Sequence, residues 1–163
     1  MASCTACETT GNVNVCMGQI AMAKGPASLS AVLGSCLGVT LHHSRTKWGI
    51  LAHVVLPKAT GEALLPGKFA DIAIPHMLEL LKERGAPPSS LVAKIVGGAC
   101  MFGAGGPIQI GENNIRIAKQ ILADTGVRIA AEDLRGNSGR RISFDCGTGL
   151  ITVETIGKTP RTL

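Results

Sequence analysis

Residues 48–56 form a near-continuous apolar run from Trp48 to Leu56, interrupted only by His53. The run is too short for a membrane-spanning helix and lacks the polar alternation of a half-exposed strand. It therefore predicts a strand buried on both faces, in a sheet with a covering layer on each side. Residues 15–23 predict a strand before it, and the alternation of Leu37, Val39 and Leu41 predicts another. Residues 91–96 read as a further buried strand. Residues 127–131, 141–145 and 150–155 read as three short ones, separated by turns at 136–139 and 147–149.

Two segments carry helical spacing instead. Ala70, Ala73, Ile74, Met77, Leu78 and Leu81 predict an amphipathic helix ending near Gly85, and Ile115, Ala118 and Leu122 predict one over 114–124, stopped by Gly126. Pro75 conflicts with the first, because its ring crowds Asp71, and it predicts a kink or a late start. The expected fold class is α/β of the α+β type, a layered sandwich of mixed, mainly antiparallel strands with two main helices. At 163 residues with 45% hydrophobic content, the chain suits one compact domain over residues 15–163. Residues 1–14, polar and Thr-rich, predict a flexible leader.

The first residues lack a secretion signal and no apolar run is long enough to cross a bilayer, so a soluble cytoplasmic protein with no membrane insertion is expected. The six cysteines are then expected as free thiols. Cys4 and Cys7 form a C-x-x-C without a second pair at metal-site spacing, so no metal is expected. The net charge of +5 is spread along the chain, +3 over 1–60, −1 over 61–112 and +3 over 113–163. With no Tyr and one Trp, stacking platforms are scarce, so solvation or an acidic protein partner explains the charge and nucleic acid does not. The glycine-rich stretch 97–106 lacks a G-K-[ST] ending and a spaced G-x-G-x-x-G, so it predicts a rim loop and no nucleotide cofactor.

Cys36 and His53 fall in successive predicted strands joined by His43, Ser44, Arg45 and Thr46. A hairpin centred between Ser44 and Arg45 sets Cys36 directly opposite His53, with β-carbons about 5 Å apart. An imidazolium there would favour the thiolate. His53, among apolar neighbours, is either a core residue bonded to backbone or a functional group facing a cleft. Gly34 two residues before Cys36 permits a sharp turn, which is either an ordinary bulge or a means of aiming the backbone N–H groups of Ser35 and Cys36 at an oxyanion. Cys100 has no evident histidine partner, and His42, His43 and His76 read as surface or turn residues.

Several elements together resemble the CheD family of chemoreceptor glutamine deamidases. They are Leu33 to Cys36, Ala52-His53 with Leu56-Pro57, Gly67 to Asp71, Lys94-Ile95 with Gly97 to Ala99, Ile110-Gly111 with Asn114, and Gly139-Arg140. The resemblance implies a layered α/β fold similar to that of bacterial deamidating toxins, with Cys36 and His53 as catalytic pair and no cofactor. It implies a hydroxyl-bearing third member at Ser30, where the family usually has threonine. It also implies methyl-accepting chemotaxis receptors as substrates and a CheC-type phosphatase as partner. The chain departs from the family pattern with Asn113 where arginine is common and Arg135 where a glycine pair is usual. Two other functions remain open at this point: a non-catalytic module docking to a CheC-type phosphatase or a receptor, and a cysteine protease sharing the first chemical step.

Overall fold

The computed structural model describes residues 7–101 and 109–163, with the side chain of Gln109 left out. Cys4 and the stretch from Gly103 to Gly106 lie outside the described residues. The long apolar run is strand β6 (Trp48–Val54), and every residue after Trp48 in it is buried. It sits inside a six-stranded sheet made with β1 (Cys7–Thr9), β3 (Ile20–Lys24), β5 (Leu37–His43), β7 (Val92–Gly97) and β8 (Arg128–Leu134), in the order β1-β3-β6-β5-β7-β8. A second, five-stranded sheet comprises β2 (Val13–Asn14), β4 (Ser28–Leu33), β9 (Arg140–Asp145), β10 (Ile151–Thr155) and β11 (Arg161–Thr162), in the order β11-β10-β9-β4-β2. Pairing is mainly antiparallel, with β1–β3, β2–β4 and β7–β8 parallel.

The double cover required by β6 is present. Alternate residues of the larger sheet, including Leu37, Val39, Leu41, Ile50 and Ala52, meet helices α1 (Ala70–Lys82) and α2 (Gln109–Asp124) in one apolar layer. The other face, with Ala21, Ala23, Leu51 and Val96, packs on Leu29, Leu33, Ile142, Phe144 and Val153 of the smaller sheet. Gly38 and Gly49 let the sheets approach: a Cβ at Gly38 would stand 2.9 Å from a Leu33 methyl, and one at Gly49 2.7 Å from Cys146 Sγ.

Several sequence expectations are corrected. Residues 7–14 are not a leader; β1 and β2 extend both sheets, and Glu8 pairs with Arg84 at 2.5 Å. Main-chain pairing at an edge needs no apolar alternation, so the sequence carries no sign of it. Helix α1 runs unbroken through Pro75, whose exposed position lets the helix bury its other face. Helix α2 begins five residues before the expected start. Residues 15–19 are turn and not strand, and β4 had no counterpart in the sequence reading.

The hairpin register also differs. His43 pairs with Trp48, and the turn closes through the Lys47 N–H donating to the His43 carbonyl at 2.9 Å, with Lys47 at φ 63°. The turn centre falls one residue later than expected. His53 therefore faces Gly38, and the same register continued places Cys36 across from Val55. A shift of this parity keeps Cys36 and His53 on one face as diagonal neighbours.

Candidate functional site

Cys36 and His53 lie at one end of the layer between the sheets. Cys36 belongs to the inter-sheet core with 8% of its surface exposed, and His53 has 3%. The turn from Gly34 to Cys36 links β4 of one sheet to β5 of the other, so the nucleophile candidate stands where the chain changes sheets. Gly98 N–H donates to the Cys36 carbonyl at 2.9 Å and Ala99 N–H to the Gly34 carbonyl at 3.0 Å. These bonds require Gly97 at φ 116°, where a Cβ would stand 2.3 Å from the Cys36 carbonyl oxygen. Among the described residues, no carbonyl accepts from the Ser35 or Cys36 N–H. The Cys36 N–H instead lies beside its own thiol.

His53 is held from behind. Its Nδ1 lies 2.9 Å from the Val15 carbonyl, which can only accept, so Nδ1 carries the proton. In the neutral ring, Nε2 then bears the lone pair. It is buried and has no partner among the described residues. The His53 backbone is tied to the 16–19 turn, through Gly18 N–H to its carbonyl at 2.9 Å and its own N–H to the Gln19 carbonyl at 3.0 Å.

Ser30 sits one layer further out. Its hydroxyl donates to the Val13 carbonyl at 3.4 Å, and its own carbonyl accepts from Val15 N–H at 2.7 Å. The group contacting the imidazole is thus the Val15 carbonyl, with Ser30 supporting that segment through the backbone. Sequence reasoning missed Val15, because a main-chain acceptor has no side-chain signature.

Electrostatics set the resting protonation state. Burial pushes the Cys36 thiol up, opposed by its own backbone N–H. Burial pushes His53 down, opposed by the Val15 carbonyl. Both shifts favour the neutral forms, thiol and imidazole, over the thiolate–imidazolium pair. The other histidines are also corrected. His42 and His43 are buried, with His42 Nε2–H donating to the Cys146 carbonyl at 2.8 Å and His43 Nδ1 2.6 Å from Thr46 Oγ1.

The free thiols differ sharply in access. Cys7 and Cys16 are exposed, whereas Cys146 is fully buried and pushed up to about 12, by burial first and by Asp145 second. Iodoacetamide at neutral pH, followed by peptide mass mapping, should modify Cys7 and Cys16 first. Cys36 should follow at least about tenfold more slowly, and Cys146 should react only on unfolding.

A cleft of about 780 Å³ opens beside the Cys36 turn, lined by Val32, Met101, Gly139, Arg141 and Ile156 among others. Met101 reaches over Gly34, which connects the cleft wall to the turn that carries Cys36. Among the described residues no group of His, Cys, Asp and Glu could hold a metal ion, and no helix is long and apolar enough to cross a membrane.

The family model described as CheD chemotactic sensory transduction matches residues 55–155. A probable chemoreceptor glutamine deamidase CheD from Methanococcus vannielii is 41% identical over 144 residues, covering 87% of this chain and 94% of that protein. One from Desulforamulus reducens is 44% identical over 130 residues, covering 77% and 78%. The chemoreceptor glutamine deamidase CheD of Thermotoga maritima is 39% identical over 142 residues, covering 86% and 90%.

Proposed function

The chain belongs to the CheD family, and from that premise we propose that it is a chemoreceptor glutamine deamidase acting through Cys36 and His53. The observation that carries the mechanism is the unpartnered, buried Nε2 of His53, left as a base by the Nδ1–H bond to Val15 on the face that Cys36 shares.

The reaction starts from the neutral pair. As the glutamine carboxamide enters and displaces water, His53 Nε2 takes the Cys36 proton and the thiolate attacks the carboxamide carbon. The backbone N–H groups of Ser35 and Cys36 hold the oxyanion. The imidazolium returns its proton to the departing ammonia, leaving a thioester on Cys36. His53 then serves as base for the water that opens the thioester, giving glutamate and restoring the thiol. Ser30 acts as a positioning residue through Val15. No cofactor takes part in any step.

We read the chain as one deamidase domain to which residues 7–14 belong through their strands. The substrate is a methyl-accepting chemotaxis receptor, the compartment is the cytoplasm, where free thiols persist, and a CheC-type phosphatase is the regulatory partner. Mass spectrometry of a receptor fragment incubated with the protein tests the reading. The expected product is a full-length fragment with a glutamine replaced by glutamate; a shortened fragment would make the protein a protease, and an unchanged one a docking module.

A further inference from the structure

Helix α2 buries a face built from Gly111, Asn114, Ile115, Ala118 and Leu122. Asn114 is the exception in that stripe. It has no exposed surface; its Nδ2 donates to the Val55 carbonyl at 3.0 Å, and its Oδ1 is buried with no partner among the described residues. A half-satisfied amide in an apolar layer costs stability that leucine would not, apart from what its one hydrogen bond returns.

The place of its one hydrogen bond supplies a reason. Val55 follows the last residue of β6, two positions after His53, and the β5–β6 register sets it across from Cys36. Val55 N–H is already held by the Lys68 carbonyl at 3.0 Å, so Asn114 fixes the second polar group of the same peptide neighbourhood. The adjacent Ile115 packs its Cδ1 against Gly98, 2.6 Å from where a Cβ would stand, and Gly98 N–H holds the Cys36 carbonyl. One step of α2 thus touches the strand end bearing the base and the loop holding the nucleophile.

We propose that Asn114 is a positioning residue for the deamidation, holding the end of β6 through the Val55 carbonyl so that His53 Nε2 stays aimed at Cys36. The proposal rests on the deamidase reading. It predicts that activity depends on the Nδ2 donor and stability does not.

Two variants test it, Asn114→Leu and Asn114→Val, both of which remove the donor and the orphaned acceptor. In both, kcat on a receptor fragment should fall about 10- to 100-fold, the loss produced by misplacing a catalytic group by a fraction of an ångström to an ångström. KM should stay within about twofold, and the Tm of Asn114→Leu within about 5 °C of wild type. The pH profile of Cys36 alkylation by iodoacetamide should move toward that of His53→Gln, a shift that mere loosening of the core would not produce. Wild-type kcat in either folded variant overturns the proposal, as does a loss that follows Tm with the alkylation profile unmoved. If the wild-type protein converts no glutamine, the deamidase reading fails, and the alkylation profile still decides whether Asn114 aims His53.

Discussion

Cys36→Ala is expected to abolish conversion of receptor glutamine while leaving a folded protein. In the proposed mechanism the thiol forms the thioester and no other group replaces it, so kcat should drop about four to six orders of magnitude, as when other covalent nucleophiles are removed. The structural cost is small by comparison. Cys36 is a small side chain at the edge of the inter-sheet core, and its backbone, held by Gly98 and flanked by Gly97, is untouched by the change. Destabilisation of about 1 kcal/mol is expected, visible as a Tm lowered by a few degrees. Mass spectrometry of the receptor fragment gives the activity and thermal unfolding gives the stability. Full conversion by a folded Cys36→Ala protein would remove the thiol from the mechanism.

His53→Gln should cost about two to four orders of magnitude in kcat at neutral pH, the contribution of one positioned general acid–base group. The glutamine amide has no basic nitrogen. The variant should regain activity as pH rises, because hydroxide can then ionise a thiol that burial holds above its ordinary range. The wild-type profile of kcat/KM should also rise with pH, but along an acid limb at lower pH. His53 is pushed below the ordinary histidine value by burial, so Nε2 remains a base at pH 6.5 and is lost only below it.

The same shift has a sign for stability. His53 and His42 are both lowered, chiefly by burial, so the unfolded chain binds more protons than the folded one once pH falls through about 6.5. Their contribution is complete above that pH and is lost progressively as pH descends to their folded values. Denaturant midpoints measured from pH 8 to pH 5 should decline accordingly.

How much of this was legible in the sequence depends on the range of the interaction. The strand at 48–56 and both helices declared themselves, because a doubly buried strand and an amphipathic helix impose their pattern on adjacent residues. The strands at 7–9 and 13–14 did not, since they are held by main-chain pairing with segments remote in sequence. β4 was hidden for a related reason: Ser28 and Ser30 occupy its outward face, and β9, the strand it pairs with, lies more than a hundred residues away. In the site, the common face of Cys36 and His53 was readable and the register was not, because Lys47 adopts a left-handed backbone that nothing in its residue type announces. Burial, which decides that the resting thiol is protonated, is a property of the whole layered core and of no local motif.

The order β1-β3-β6-β5-β7-β8 puts His53 on one of the two innermost strands of the larger sheet and Cys36 in the turn that enters the other, with short β1 at one margin and the half-exposed β8 at the other. Native proteins open piecewise, from their weakly held edges inward, and the centre opens only when everything else has. Fraying at those two margins leaves His53 and Cys36 aligned, whereas two-residue β2, a margin of the smaller sheet, leads directly into Val15, whose carbonyl holds His53 Nδ1. Inactivation on warming should therefore follow the release of that segment and precede global unfolding.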